Sequence, residues 1–81
     1  MQFFYVYILH SQLNDAHFYV GQTEDLRARL KKHNSGEVPH TAKFRPWKIK
    51  TAIAFSEEKS AVEFERYLKS GSGRAFAKKR L

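Results

Sequence analysis

The chain has 81 residues, and fifteen Lys and Arg against eight Asp and Glu give it a formal net charge of +7. This length predicts one small domain over residues 1–81, with only a marginal core. The absence of cysteine excludes disulfides and cysteine-based metal or nucleophilic sites, and it favours a reducing cytoplasm. No apolar run approaches the roughly 20 residues that span a bilayer. The positive charge favours a polyanionic partner such as nucleic acid.

The first predicted strand, residues 3–10, is apolar on both of its alternating faces. One face carries Phe3, Tyr5, Tyr7 and Leu9, and the other carries Phe4, Val6 and Ile8. A strand covered on both sides is usually central in its sheet. A polar turn at 11–16, containing Asn14-Asp15, suits a hairpin connection to a second strand at 17–22.

A helix is predicted to follow the second strand directly. Thr23 is a favourable N-cap, and Glu24 and Asp25 would then lie in the first turn, where the helix dipole favours acidic residues. The helix is expected to run to about Asn34, because Gly36 is a typical terminator.

The inward face of this helix carries two polar residues. At 100° per residue, Leu26 and Leu30 define the apolar stripe, with His33 between them in angle and Arg29 at the edge. Burying a guanidinium is costly without an anionic partner, so this position suggests a binding function. The alternative is an arginine whose stem packs on the leucines while its head stays in water.

The second half of the chain predicts the rest of an α+β fold. Residues 35–46 are expected to be irregular and basic, and Trp47 to Phe55 to form a third strand. Ser56 is the predicted cap of a second helix that ends at Gly71-Ser72-Gly73, and a short basic helix runs from Arg74 to Arg80. The order ββαβαα indicates a small three-stranded antiparallel sheet flanked by helices.

The second helix places a carboxylate beside its apolar stripe. Ala61, Phe64 and Leu68 form the stripe, Glu65 lies next to it, and Glu63 points away. A carboxylate on a core-facing arc usually has a partner or a function. A salt bridge to Arg29 and a divalent metal are the two alternatives, and a carboxylate ligand suits Mg²⁺ or Mn²⁺.

Several short motifs occur in an order that resembles the GIY-YIG nuclease family, especially its small stand-alone bacterial members. They are Tyr5-Val6-Tyr7, Tyr19-Val20-Gly21, Arg29, His33-Asn34-Ser35-Gly36, Phe44-Arg45-Pro46-Trp47 and the segment from Glu65 to Arg74. Each motif is weak alone, but their order and spacing together are specific. The first motif reads Tyr-Val-Tyr instead of Gly-Ile-Tyr, and it keeps the terminal tyrosine.

The resemblance implies a GIY-YIG endonuclease-like fold and metal-dependent hydrolysis of a nucleic-acid phosphodiester, with DNA favoured over RNA and both left open. It implies Tyr7, Tyr19, Arg29 and His33 as catalytic residues and Glu65 as the ligand of one Mg²⁺ or Mn²⁺, all expected to converge on one concave surface. Water attack would be assisted by a tyrosine or by His33, and the identity of the general base is left open. Basic residues expected to contact the nucleic-acid backbone are Lys43, Arg45, Lys48 and Arg74.

Two other functions remain open at this stage. One is a non-catalytic basic module that binds nucleic acid on the same fold. The other is a basic protein-interaction or ribosome-associated domain whose aromatic residues serve only the core. The complete set of five site residues favours the nuclease, because binding alone does not need Glu65 beside a phosphate.

Overall fold

A computed structural model describes residues 1–81 as a three-stranded sheet with two helices on either side. The elements in chain order are β1 (Phe4–Ser11), β2 (Phe18–Thr23), α1 (Leu26–Asn34), α2 (Pro39–Ala42), β3 (Trp47–Phe55), α3 (Glu58–Lys69) and α4 (Gly71–Arg80). The predicted α+β class and antiparallel sheet are confirmed. None of these helices has the length and apolar character needed to cross a membrane.

The sheet has the strand order β2-β1-β3, and both pairings are antiparallel. The predicted central position of β1 is therefore confirmed, and its two apolar faces are the reason for it. Tyr7 lies opposite Gly21 on β2 and opposite Ala52 on β3. A β-bulge between Ile8 and Leu9 leaves Lys50 of β3 without a partner on β1.

Each face of the sheet carries its own core. Val6 and Ile8 pack with Ala61 and Leu68 of α3, and Ala77 of α4 packs against this cluster. Tyr7, Leu9 and Trp47 form the second cluster, against which Leu26 and Leu30 of α1 pack. As a result, α1 and α3 lie on opposite faces of the sheet.

The start of α1 differs from the prediction. Its N-cap is Asp25, whose side chain accepts a hydrogen bond from the Ala28 backbone N–H at 3.0 Å. Thr23 pairs with Tyr5 as the last residue of β2, so it cannot cap the helix. Asp25 and the preceding Glu24 therefore lie before the helix instead of in its first turn.

Three further boundaries differ from the prediction. Residues 35–46 are not wholly irregular, because Pro39 begins the short helix α2, where its fixed φ fits the first turn. Glu57, not Ser56, occupies the N-cap of α3, and its side chain makes no capping bond. The glycines predicted to end that helix form the first turn of α4 instead, because Ser70 Oγ accepts the Gly73 N–H at 3.1 Å.

Candidate active site

The Tyr7 side chain lies across the neighbouring strand at Gly21. Tyr7 is only 3% exposed. A Cβ at Gly21 would overlap the Tyr7 hydroxyl and lie 2.5 Å from its Cζ. Any residue with a side chain at this position would push the ring away. The glycine of the second motif thus lets the Tyr7 hydroxyl reach towards the β2 edge of the sheet.

His33 links Tyr7 to Thr41 through two buried hydrogen bonds. The Tyr7 hydroxyl lies 2.9 Å from His33 Nε2, and His33 Nδ1 lies 2.8 Å from Thr41 Oγ1. Because Thr41 donates its one proton to the Val38 carbonyl at 3.3 Å, it accepts from Nδ1–H. The network therefore assigns the Nδ1–H tautomer, and Tyr7 donates to the bare Nε2 of a neutral His33.

Burial determines the charge state of both partners. Burial, followed by the nearby Tyr19 and Glu65, raises the pKa of Tyr7 to about 12 against the lowering effect of Arg29. Burial also lowers the pKa of His33, with Arg29 acting in the same direction. Both side chains are therefore uncharged near neutral pH.

The lowered pKa of His33 predicts acid destabilisation. As pH falls through the ordinary imidazole value of 6.5, the unfolded chain takes up a proton at His33 that the folded chain does not. The free energy of unfolding should therefore decrease with falling pH until the folded-state pKa is reached. Urea unfolding across pH 5–8 measures this slope, and His33→Gln should flatten it, whereas the exposed control His40→Gln should not. An unchanged slope in His33→Gln contradicts the assignment.

Tyr19 and Arg29 complete the cluster on the α1 face. The Tyr19 ring centroid lies 5.0 Å from that of His33 and 6.4 Å from that of Tyr7. Arg29 lines a small crevice with Tyr7 and Leu26, and its charge affects the pKa of both Tyr7 and His33. It forms no ion pair with a carboxylate. Its guanidinium is therefore free to bind an anion that enters the site.

Glu65 approaches the cluster from the other face of the sheet. Its carboxylate is close enough to raise the pKa of Tyr7, and α3 packs against β2, over which the Tyr7 hydroxyl lies. The five residues were expected on one concave surface; because α3 lies on the opposite face of the sheet from α1, such a surface would have to extend around the β2 edge. Glu65 Oε2 pairs with Lys69 Nζ at 2.8 Å, so the alternative of a salt bridge to Arg29 is wrong.

The residues around Tyr7 offer one carboxylate to a metal. No group of three or more His, Cys, Asp or Glu side chains could enclose an ion. Mg²⁺ typically takes one or two carboxylates together with waters and substrate phosphate oxygens. Glu65 alone would fit an ion of this kind if water and nucleic-acid oxygens supplied the remaining ligands. It does not fit a metal held by the protein alone.

The predicted backbone contacts are all exposed and lie on different elements of the fold. Lys43 and Arg45 lie in the connection after α2, Lys48 on β3 and Arg74 on α4. The sequence contains no signal for Thr41, because the segment around it has no periodic pattern. It likewise gave none for Lys69, whose contact with Glu65 is an ordinary (i, i+4) pair.

Residues 3–80 match the family model described as the GIY-YIG catalytic domain. The chain belongs to the GIY-YIG family of nuclease domains. It is 37% identical over 70 residues to the structure-specific endonuclease subunit SLX1 of Scheffersomyces stipitis, covering 78% of this chain and 21% of that protein.

Small bacterial proteins are similar over most of the chain. The UPF0213 protein of Streptococcus pneumoniae is 36% identical over 66 residues, and UPF0213 protein YazA of Bacillus subtilis is 37% identical over 68 residues. These matches cover 80% and 83% of this chain and 65% of each relative. The chain thus spans a fifth to just under two thirds of the length of these relatives.

The fold has a solved counterpart. The solution NMR structure of a UPF0213 protein from Bacillus halodurans superposes with a TM-score of 0.56 at 33% identity. The match covers 96% of this chain and 81% of that one.

Proposed function

We propose that this chain is a metal-dependent endonuclease that hydrolyses phosphodiester bonds in nucleic acid, with DNA as the favoured substrate. The observation that carries the proposal is the buried hydrogen bond from Tyr7 to a neutral His33, beside an arginine without a carboxylate partner. A binding surface needs cations, but it does not need a buried hydroxyl–imidazole pair. Membership of a nuclease family and the net charge of +7 support the same conclusion.

The hydrogen-bond chain suggests how a water molecule loses its proton. With a pKa of about 12, Tyr7 is protonated at rest, so it can accept a proton from water only while it gives up its own. His33 Nε2 lies 2.9 Å from the hydroxyl and is positioned to take that proton. Thr41 keeps His33 in the required tautomer. We assign Tyr7 as the acceptor of the proton from the attacking water and His33 as the acceptor of the proton that Tyr7 gives up. Tyr19 is assigned to orienting the water or the phosphate.

Glu65 is the proposed metal ligand. Bound there, Mg²⁺ or Mn²⁺ supplies Lewis-acid charge at the phosphate and the leaving oxygen. Only Oε2 of Glu65 pairs with Lys69, and this pair would loosen if both carboxylate oxygens were to hold the ion. Lys69 is then free to contact a phosphate of the same nucleic acid.

Arg29 is the proposed phosphate-binding residue, and its replacement tests the proposed function. A guanidinium contacts non-bridging oxygens in both the ground and transition states, where charge builds up. Arg29→Ala should lower the cleavage rate by about 10²–10³-fold, the usual cost of losing one such donor. It should also weaken binding, which cleavage and anisotropy assays on the same oligonucleotide measure together.

Arg27 provides the matched control for this experiment. It lies on the exposed side of the same helix, so Arg27→Ala removes the same charge from the protein without touching the cluster. We expect Arg27→Ala to weaken binding slightly and to leave the cleavage rate of bound substrate unchanged. Equal loss of cleavage in both variants contradicts a specific role for Arg29.

The second candidate function is the non-catalytic module that binds nucleic acid. The pairing of Glu65 with Lys69 favours it to some degree, because this carboxylate already has a structural partner. The pair is exposed on the lysine side, however, and such pairs contribute about 0–1 kcal/mol, so a bound ion displaces it easily.

A further inference from the structure

A second concave feature lies outside the tyrosine–histidine cluster. It is a groove of about 750 Å³ between β2 and the corner of α3 and α4. Seven of its eleven lining residues are hydrophobic, and the other four are Lys50, Lys69, Arg74 and Lys78. The groove therefore combines an apolar floor with a rim of cations and contains no carboxylate.

An exposed aromatic ring forms one wall of this groove. Phe18 is 50% exposed, although it lies on a strand. The His10 ring stacks on it at 4.6 Å between centroids and 9° between planes, which supports the ring from within the sheet. Lys50, which the β-bulge leaves unpaired, places its Nζ 5.5 Å from the Phe18 centroid. An exposed aromatic ring with a lysine Nζ over it suits a base together with its phosphate.

The groove shares two residues with the candidate active site and its ion pair. Tyr19 lines the groove and also packs against His33 at 5.0 Å between ring centroids. Lys69 lines the groove and also pairs with Glu65 at 2.8 Å. The groove therefore adjoins the candidate active site at the β2 edge.

We propose that this groove binds unpaired bases of a single-stranded segment that flanks the phosphate held at Arg29. The volume lies within the range of roughly 300–1,000 Å³ that is typical of clefts for small ligands, enough for a stacked nucleotide. Phe18 provides the stacking surface, and Lys50, Lys69, Arg74 and Lys78 bind phosphates. A duplex keeps its base faces covered, so it can reach the cations but not the apolar floor. The position of the groove relative to the scissile bond rests on the proposed function, whereas the binding of unpaired bases in the groove does not.

Charge complementarity selects this occupant. All four polar lining residues are cations, and the strong positive charge of the whole chain disfavours a second copy of itself. The apolar floor argues against a ligand that contacts the groove only through phosphates, because phosphates gain no binding free energy from covering Phe18.

The test compares how replacement of Phe18 affects binding to ligands with and without unpaired bases. Anisotropy in EDTA is measured with a thymidine oligonucleotide, an abasic strand of equal length and a matched duplex. Phe18→Ala should weaken binding to the thymidine strand about tenfold, the scale of one lost base stack. It should change the affinities for the abasic strand and the duplex by no more than about twofold. Phe18→Trp should restore binding to the thymidine strand.

Phe76 provides the matched control. It is 38% exposed on α4, and it does not line the groove, so Phe76→Ala should not change any of the three affinities. The proposal is overturned if Phe18→Ala weakens all three ligands equally or none of them. It is also overturned if sedimentation shows that Phe18→Ala dissociates a dimer. Because this assay contains EDTA, its result does not depend on cleavage. A chain that binds single strands through Phe18 but cleaves nothing when Mg²⁺ or Mn²⁺ is supplied refutes the nuclease proposal and leaves the groove standing.

Discussion

Replacing Tyr7 by phenylalanine should lower the cleavage rate by about 10²–10⁴-fold, the usual contribution of a positioned proton-transfer group. The hydroxyl lies between the position proposed for the attacking water and His33 Nε2, and no other side chain hydrogen-bonds to that nitrogen. The ring itself, which packs over Gly21, is retained, so the substitution changes the chemistry and not the shape of the site. Single-turnover cleavage under saturating protein measures the chemical step separately from binding.

Folding should be only moderately affected in this variant. Loss of the hydroxyl leaves buried His33 Nε2 without a donor, which costs about 1–3 kcal/mol of unfolding free energy. Assays should therefore be run well below the midpoint of thermal unfolding. Tyr67→Phe is the matched control, because Tyr67 is 40% exposed on α3. A Tyr7→Phe protein that cleaves as fast as Tyr67→Phe contradicts the proposed path of the proton.

Glu65→Gln should abolish metal-dependent cleavage while leaving binding in EDTA equal or slightly tighter. The amide keeps the size of the side chain but removes the charge that would hold the cation. The same change releases Lys69 from its ion pair and removes a negative charge near the phosphate. Opposite effects on cleavage and binding are expected of a metal ligand but not of a residue that only stabilises the fold.

Glu63→Gln controls for the loss of one negative charge on the same helix. Glu63 is exposed and lies away from the sheet, so its replacement should alter neither cleavage nor the requirement for Mg²⁺ or Mn²⁺. Equal losses of cleavage in the two variants would point to the net charge of α3 instead of a metal at Glu65.

The sequence predicted the fold well because its dominant signals are local. The alternating faces of β1 and the leucine stripe of α1 each follow from a single period, and they correctly predicted the central position of β1 and the inward position of His33 on its helix. Helix caps were predicted less well, because Thr23 satisfies the cap preference as well as Asp25 does. Only the pairing of Thr23 with Tyr5 decides between them.

The geometry around the predicted site residues could not be read from the sequence, because it depends on contacts between distant segments. Thr41 contacts His33 only because α2 folds back against α1. The groove exists because Phe18, Lys50 and Arg74, on three different elements, meet in space. Glu65 was expected on the same surface as Arg29, yet its helix packs on the other face, and only the β2 edge brings its charge to Tyr7.

The most direct test of the central claim is a cleavage panel with wild-type protein and Glu65→Gln purified in parallel. The substrates are labelled single-stranded, duplex and branched DNA and RNA, each with Mg²⁺, Mn²⁺ or EDTA. We predict that wild type cleaves at least one DNA substrate with either metal, and that both EDTA and Glu65→Gln abolish the product. Equal rates for the two proteins, or tight binding by wild type without cleavage of any substrate, would contradict the claim and leave a basic nucleic-acid-binding module.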